Sequence, residues 1–72
     1  MRLYEIPLSE VERLIREWIP NKIYRDILRD RLIDGAPYKE LADRYNLTER
    51  RIKTIVAEGS DRIFSHTKPW TF

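Results

Sequence analysis

Apolar residues recur along this chain at intervals of three and four, interrupted at definite points by proline, glycine and asparagine. That pattern predicts a series of short amphipathic helices. Val11, Leu14, Ile15 and Trp18 share one face of a first helix over 9–19. Ser9 is placed to cap it, with Glu12 completing a capping box. Pro20 ends it, because proline disfavours the helical region for the residue before it. Asn21 suits the cap of a second helix over 22–34, whose inner face holds Ile23, Tyr24, Ile27, Leu28, Leu32 and the stem of Arg31. Gly35 stops that helix. Pro37 fits the first turn of a third helix over 37–45, with Leu41, Ala42 and Tyr45 inward. Thr48 caps a fourth over 48–58, with Ile52, Ile55 and Val56 as its inner stripe. Gly59 reads as the end of that helix, followed by one short turn over 60–66 around Ile63 and Phe64. Residues 1–8 read as an extended arm. The tail 67–72 reads as irregular, with Trp70 and Phe72 suited either to fold back on the core or to dock a second subunit.

The junction between the third and fourth helices carries the most information. Two helices that cross closely need a small residue in the first, and Ala42 supplies it. The turn needs a residue that tolerates positive φ, and Asn46 does so better than most non-glycine residues. Leu41 and Leu47 close the apolar contact around the turn, while Ile52 and Ile55 lock the fourth helix onto a core of three. An ordinary helical hairpin would need the apolar spacing but not the alanine and the asparagine turn together. The expected fold is therefore all-α: a single domain over 1–72, a small bundle of four to five helices around a trihelical helix-turn-helix core.

In that motif the second helix enters the DNA major groove and reads bases from its N-terminal part. With Ile52, Ile55 and Val56 turned inward, Arg50, Lys53, Thr54 and Ala57 occupy the opposite face, flanked by Thr48, Glu49 and Arg51. Arg50 is the first candidate for guanine, since its fork matches O6 and N7. Lys53 suits a base or a phosphate, Thr54 a thymine methyl, and Glu49 the amino group of cytosine. Thr48 completes the base-reading set, and Arg51 suits a phosphate. Tyr38 and Lys39 begin the third helix, where unpaired backbone N–H groups favour a second phosphate.

Charge changes this picture only slightly. The 14 basic and 12 acidic residues leave a net charge of +2. Residues 1–36 hold seven of each sign, so the excess falls in 37–72, where seven basic face five acidic residues. Glu10–Arg13 and Glu12–Arg16 have the spacing of ion pairs on a solvated face of the first helix. A chain of 72 residues buries only about 60% of its unfolded surface, and with no cysteine it has no disulfide or thiolate metal site to reinforce it. No apolar run approaches a membrane span and no secretion or lipidation signal is seen, so a cytoplasmic location is expected, with no membrane contact. Catalysis is not expected. His66 is the single histidine, a serine–histidine pair would need Ser60 or Ser65 with an orienting acid in a pocket that so small a chain hardly offers, and two glycines form no phosphate-cradling loop. No cofactor or metal is expected.

The run Arg25 to Ala42, with its helix ending in Gly35-Ala36-Pro37, resembles the DNA-binding region 4 of sigma-70-type factors and the small phage and mobile-element regulators built on that module. The likeness covers about residues 22–58. It implies a fold of a glycine-terminated helix followed by a helix-turn-helix, promoter DNA as ligand, and Arg50, Lys53 and Thr54 on the reading face. Gly59 departs from it, because such modules commonly continue their last helix. A full sigma factor also carries a polymerase-binding domain that this sequence lacks, which favours a stand-alone regulator or a DNA-binding subunit.

The expected function is sequence-specific binding of double-stranded DNA, as a small transcriptional regulator. One such module makes about four to six phosphate contacts, so a second copy of the chain or RNA polymerase is a candidate partner. Two other uses fit the same scaffold. One is a protein-interaction module, an inhibitor or adaptor, consistent with Glu49, Glu58 and Asp61 around the basic face. The other is the DNA-recognition part of a phage packaging subunit.

Overall fold

The computed structural model describes residues 7–65. Tyr4, His66, Trp70 and Phe72, and with them most of the expected arm and all of the expected tail, lie outside the described residues. Four helices follow in order: α1 (Leu8–Trp18), α2 (Lys22–Leu32), α3 (Tyr38–Tyr45) and α4 (Glu49–Phe64). The bundle is all-α, with no strand among the described residues.

Local chemistry accounts for most of the helix ends. α1 begins one residue earlier than the capping box suggests. Pro7, extended at ψ 145°, stands at the cap position, and its carbonyl accepts from the N–H groups of Glu10 and Val11 at 3.0 and 3.1 Å. Ser9 therefore sits inside the first turn and caps nothing, while Glu12 lies 3.6 Å from Arg29 of α2 rather than pairing with Arg16. Glu10 does pair with Arg13, which also reaches Glu17 at 2.9 Å. Ile19 is extended, as the following Pro20 requires. Asn21 caps α2 by accepting from the Tyr24 N–H at 3.1 Å. α2 closes at Leu32, two residues early. Gly35 takes φ +73°, and the Ala36 N–H returns to the Asp30 carbonyl at 3.0 Å.

At the α3–α4 junction Asn46 adopts φ 56°, ψ 46° and closes α3 in the left-handed conformation. The Leu47 N–H then bonds to the Ala42 carbonyl at 2.9 Å. Thr48 Oγ1 accepts from the Arg51 N–H at 3.0 Å and starts α4. These two devices set the crossing of α3 and α4.

The core divides about α2. On one side Ile27 packs with Ala36, Leu41, Ala42, Ile52, Ile55 and Val56, which is the trihelical core. On the other Leu28 packs with Val11, Leu14, Ile15 and Ile19 of the α1 end, and with Ile63 of α4. Tyr24 touches both clusters. Each wholly buried Leu or Ile contributes about 1.5–3 kcal/mol.

Three sequence expectations are corrected. Gly59 does not end the last helix. α4 runs through it to Phe64, so the separate turn over 60–66 does not exist. A Cβ on Gly59 would stand 2.5 Å from Leu28 Cδ1. The missing side chain lets α4 lie against α2, and the glycine serves packing rather than termination. Trp18 and Ile23, expected inside, are 37% and 54% exposed. Ile19, beyond the helix end, is buried in Trp18's stead. Periodicity finds a stripe, but a position on it is buried only where another element covers it.

α3 is tied to α2 through one acceptor, Asp30. The Tyr45 hydroxyl donates to Asp30 Oδ2 at 2.5 Å, and Arg44 donates to the same oxygen at 2.8 Å. Burial, together with the hydrogen bond to Asp30, pushes the Tyr45 phenol up to about 12. An unfolded tyrosine loses its proton near pH 10, so between pH 10 and 12 the folded chain holds a proton that the unfolded chain has lost. Stability present below pH 10 should fall as pH rises through that window. Tyr45→Phe should remove this part of the decline, starting about 1 kcal/mol less stable at neutral pH. Thermal unfolding of both proteins from pH 8 to 12 checks it.

Candidate nucleic-acid interface

The first turns of α4 present the residues that the helical wheel singles out. Thr48, Glu49, Arg50, Arg51, Lys53 and Ala57 are exposed, and Thr54 is half-buried. Ile52, Ile55 and Val56 are buried on the opposite side and hold this face outward. Two of the hydroxyls are already engaged. Thr48 Oγ1 is the cap acceptor, and Thr54 Oγ1 donates to the Arg50 carbonyl one turn back, at 3.1 Å. Thr54 has thereby used its only side-chain donor, which leaves its methyl group as the part able to distinguish a base.

Tyr38, at the start of α3, stands between two cations from different helices. The Arg31 guanidinium lies 4.2 Å from its ring centroid and the Lys53 ammonium 5.6 Å. Arg31 is also anchored through NH1 to the Ala36 carbonyl at 3.1 Å. The tyrosine thus links the end of α2, the start of α3 and the outward face of α4. Cation–π contacts of this kind contribute about 0.5–1 kcal/mol at exposed sites. They leave the ammonium of Lys53 charged and its hydrogen-bond donors unused. Arg51 lies on the flank, and its NH2 donates to the Tyr24 hydroxyl of α2 at 2.6 Å. Lys39 is exposed on the first turn of α3 and is not drawn into either group. Asn46, Leu47, Thr48 and Arg51 line an open depression at the turn.

The cations differ in what they are paired with. Arg13, Lys22, Arg29 and Arg44 each have a carboxylate within 4 Å. Arg44 and Arg13 are held further toward the charged form, first by hydrogen bonds to Asp30 and Glu10 respectively. Around the start of α4 the partners are neutral. Arg31 and Lys53 face a tyrosine ring and Arg51 a phenol, while Arg50 and Lys39 make no ion pair among the described residues. Among the described residues Arg25 likewise donates to carbonyls, those of Ile19 and Pro20 at 2.9 and 2.8 Å, and to no carboxylate. Arg16 and Arg62 also have no carboxylate partner among the described residues but stand apart from this group, on α1 and at the far end of α4. Among the described residues the cations near the turn are therefore not held in ion pairs, which composition alone does not reveal. Sequence reasoning assigned Tyr24 and Arg31 to the inner face of α2. Their links to Arg51 and Tyr38 span helices, and no local signal announces them.

No group of three or more His, Cys, Asp or Glu among the described residues could hold a metal ion. None of the described helices is long and apolar enough to cross a membrane.

A capped helix set across a short αL turn, its outer face basic and its inner face locked into a trihelical core, defines a helix-turn-helix nucleic-acid-binding domain. Residues 21–64 match the family described as Sigma-70, region 4, and the chain belongs to that family of helix-turn-helix DNA-binding regions. The match begins at the cap of α2 and ends with α4, so it passes through Gly59, where the sequence seemed to depart from the family. α1 lies outside the matched span and covers Leu28 and Ile63. Comparison with curated proteins and with solved structures gives no match.

Proposed function

We propose that this chain binds a specific sequence of double-stranded DNA, placing the first half of α4 in the major groove, and acts as a small transcriptional regulator of phage or bacterial type in the cytoplasm. The observation that carries this reading is the group of cations around the start of α4, which make no ion pair among the described residues. In a protein-docking surface such charges are commonly paired or depleted at the core. A DNA backbone needs them free.

In this reading Arg50 addresses a guanine edge, and Lys53, Glu49, Thr54 and Thr48 complete the base contacts. Arg51 holds one phosphate, while Lys39 and the N–H groups opening α3 beside Tyr38 hold another. A module of this size makes about four to six phosphate contacts, so tight binding requires a second copy on a symmetric site or help from RNA polymerase.

Titration against mixed-sequence duplexes at two salt concentrations, followed by selection of the retained sequences, tests the proposal. The expected result is binding whose logarithm falls with log salt at a slope of about −4 to −5, together with an enriched motif. A folded sample that binds no duplex at low salt would overturn it in favour of a protein-interaction role.

A further inference from the structure

We infer that Tyr24 of α2 forms, with Arg51 of α4, a two-donor site for one phosphodiester of the DNA backbone. The inference rests on the proposed DNA-binding reading and adds to it a residue from outside the helix-turn-helix pair.

Tyr24 and Arg51 lie 27 residues apart in sequence, and the bundle brings the Arg51 NH2 to 2.6 Å from the Tyr24 hydroxyl, with the guanidinium carbon 5.9 Å from the ring centroid. In this contact the arginine donates and the phenol oxygen accepts. The hydroxyl proton of Tyr24 has no acceptor among the described residues, and Arg51 has no carboxylate there. One guanidinium N–H of the five is used, so the pair retains unspent N–H donors and one O–H donor side by side. A phenol that accepts from a cation is polarised to donate more strongly to an anion. A tetrahedral phosphate presents two oxygens to such a pair, one for the guanidinium and one for the hydroxyl.

Preorganisation separates this pair from an ordinary surface contact. Tyr24 packs against both core clusters, and its own N–H is held by Asn21. The ring therefore does not have to be ordered on binding, and through the hydroxyl it restrains an otherwise flexible arginine. Restraint before binding reduces the entropy lost on association. The start of α4 is fixed independently by the Thr48 cap on the Arg51 N–H. A phenylalanine at position 24 would keep the packing and lose only the hydroxyl, which makes the site separable from the fold.

The test is a double-mutant cycle on the full chain, with a short mixed-sequence DNA duplex as probe and the dissociation constant followed against salt. Tyr24→Phe is expected to weaken binding about five-fold, the value of one hydrogen bond, with the salt slope unchanged because no charge is removed. Arg51→Ala is expected to weaken it further and to reduce the slope by about 0.9, one phosphate's share. In the Arg51→Ala background Tyr24→Phe should cost less than about two-fold, the non-additivity of residues sharing one ligand. Equal losses in both backgrounds, or no loss in the native one, would overturn the shared site while leaving the DNA-binding reading in place. Arg51→Ala with native affinity and slope would instead overturn the placement of Arg51 on DNA, and the shared site with it.

Discussion

Arg50→Glu combined with Lys53→Glu is expected to reduce affinity for duplex DNA by about a hundred-fold or more while leaving the fold intact. Both side chains are exposed, and neither makes an ion pair among the described residues. Folding loses little beyond the Lys53 contact with the Tyr38 ring, within about 0.5 kcal/mol for a surface site of this kind. On DNA the two reversals remove two favourable contacts and place two carboxylates against the phosphate backbone. A single base-reading contact is worth about 1–3 kcal/mol, so losing two costs about thirty-fold at the least, and the repulsion of two carboxylates by the phosphates takes the total past about a hundred-fold. Affinity measured by fluorescence anisotropy at low salt, beside a thermal melt of the same sample, checks both halves. Retained affinity in a folded double variant would show that another face of the protein meets DNA.

Gly59→Val is expected to destabilise the domain by about 3 kcal/mol or more, a fall in melting temperature of about 12–24 °C for a chain of this size. The reason lies in the contact between α4 and α2. A Cβ at position 59 would meet Leu28 Cδ1 at 2.5 Å and Cδ2 at 2.8 Å, and Leu28 is wholly buried, so it must leave its packed rotamer to make room for the larger side chain. Gly59→Ala sets two effects against each other. Helix propensity favours alanine by about 1 kcal/mol, while overpacking costs about 1–3 kcal/mol, so a smaller net loss follows. The compensating variant makes the test specific. In a Leu28→Ala background the clash is gone, and Gly59→Ala should become neutral or stabilising. Thermal unfolding followed by circular dichroism distinguishes these outcomes. An unchanged melting temperature in Gly59→Val would mean that α4 does not lie against α2 as closely as the structure places it.

The same glycine shows where reading from sequence stops. Gly35 and Gly59 look alike in the chain, each after an amphipathic stretch and each near its apparent end. Gly35 is a true stop, at φ +73°, because the local backbone needs the left-handed region there. Gly59 lies within a continuous helix, and its role is set by Leu28, thirty-one positions away in the chain. Pro37 just after Gly35 marks that stop locally, but no neighbouring residue announces that Gly59 makes room for Leu28. Trp18 and Ile23 make the same point for burial: the stripe was legible, and its covering was not.

Local chemistry was sufficient for much else. Asn21 and Thr48 cap the helices they were expected to cap, Asn46 takes the left-handed turn, and Leu41, Ala42, Ile52, Ile55 and Val56 form the inward face of the helix pair. These follow from the sequence because each depends on residues within about four positions, the range over which backbone hydrogen bonds and helical spacing act. The exposed positions Arg50 and Lys53 follow for the same reason, as the complement of the inner stripe. Only the tertiary structure decided which cations stay out of ion pairs among the described residues, that Tyr38 meets both Arg31 and Lys53, that Tyr24 restrains Arg51, and that α4 runs on past Gly59. Each of these depends on which helices meet. A charge or a missing side chain takes its meaning from neighbours that the chain brings together only by folding.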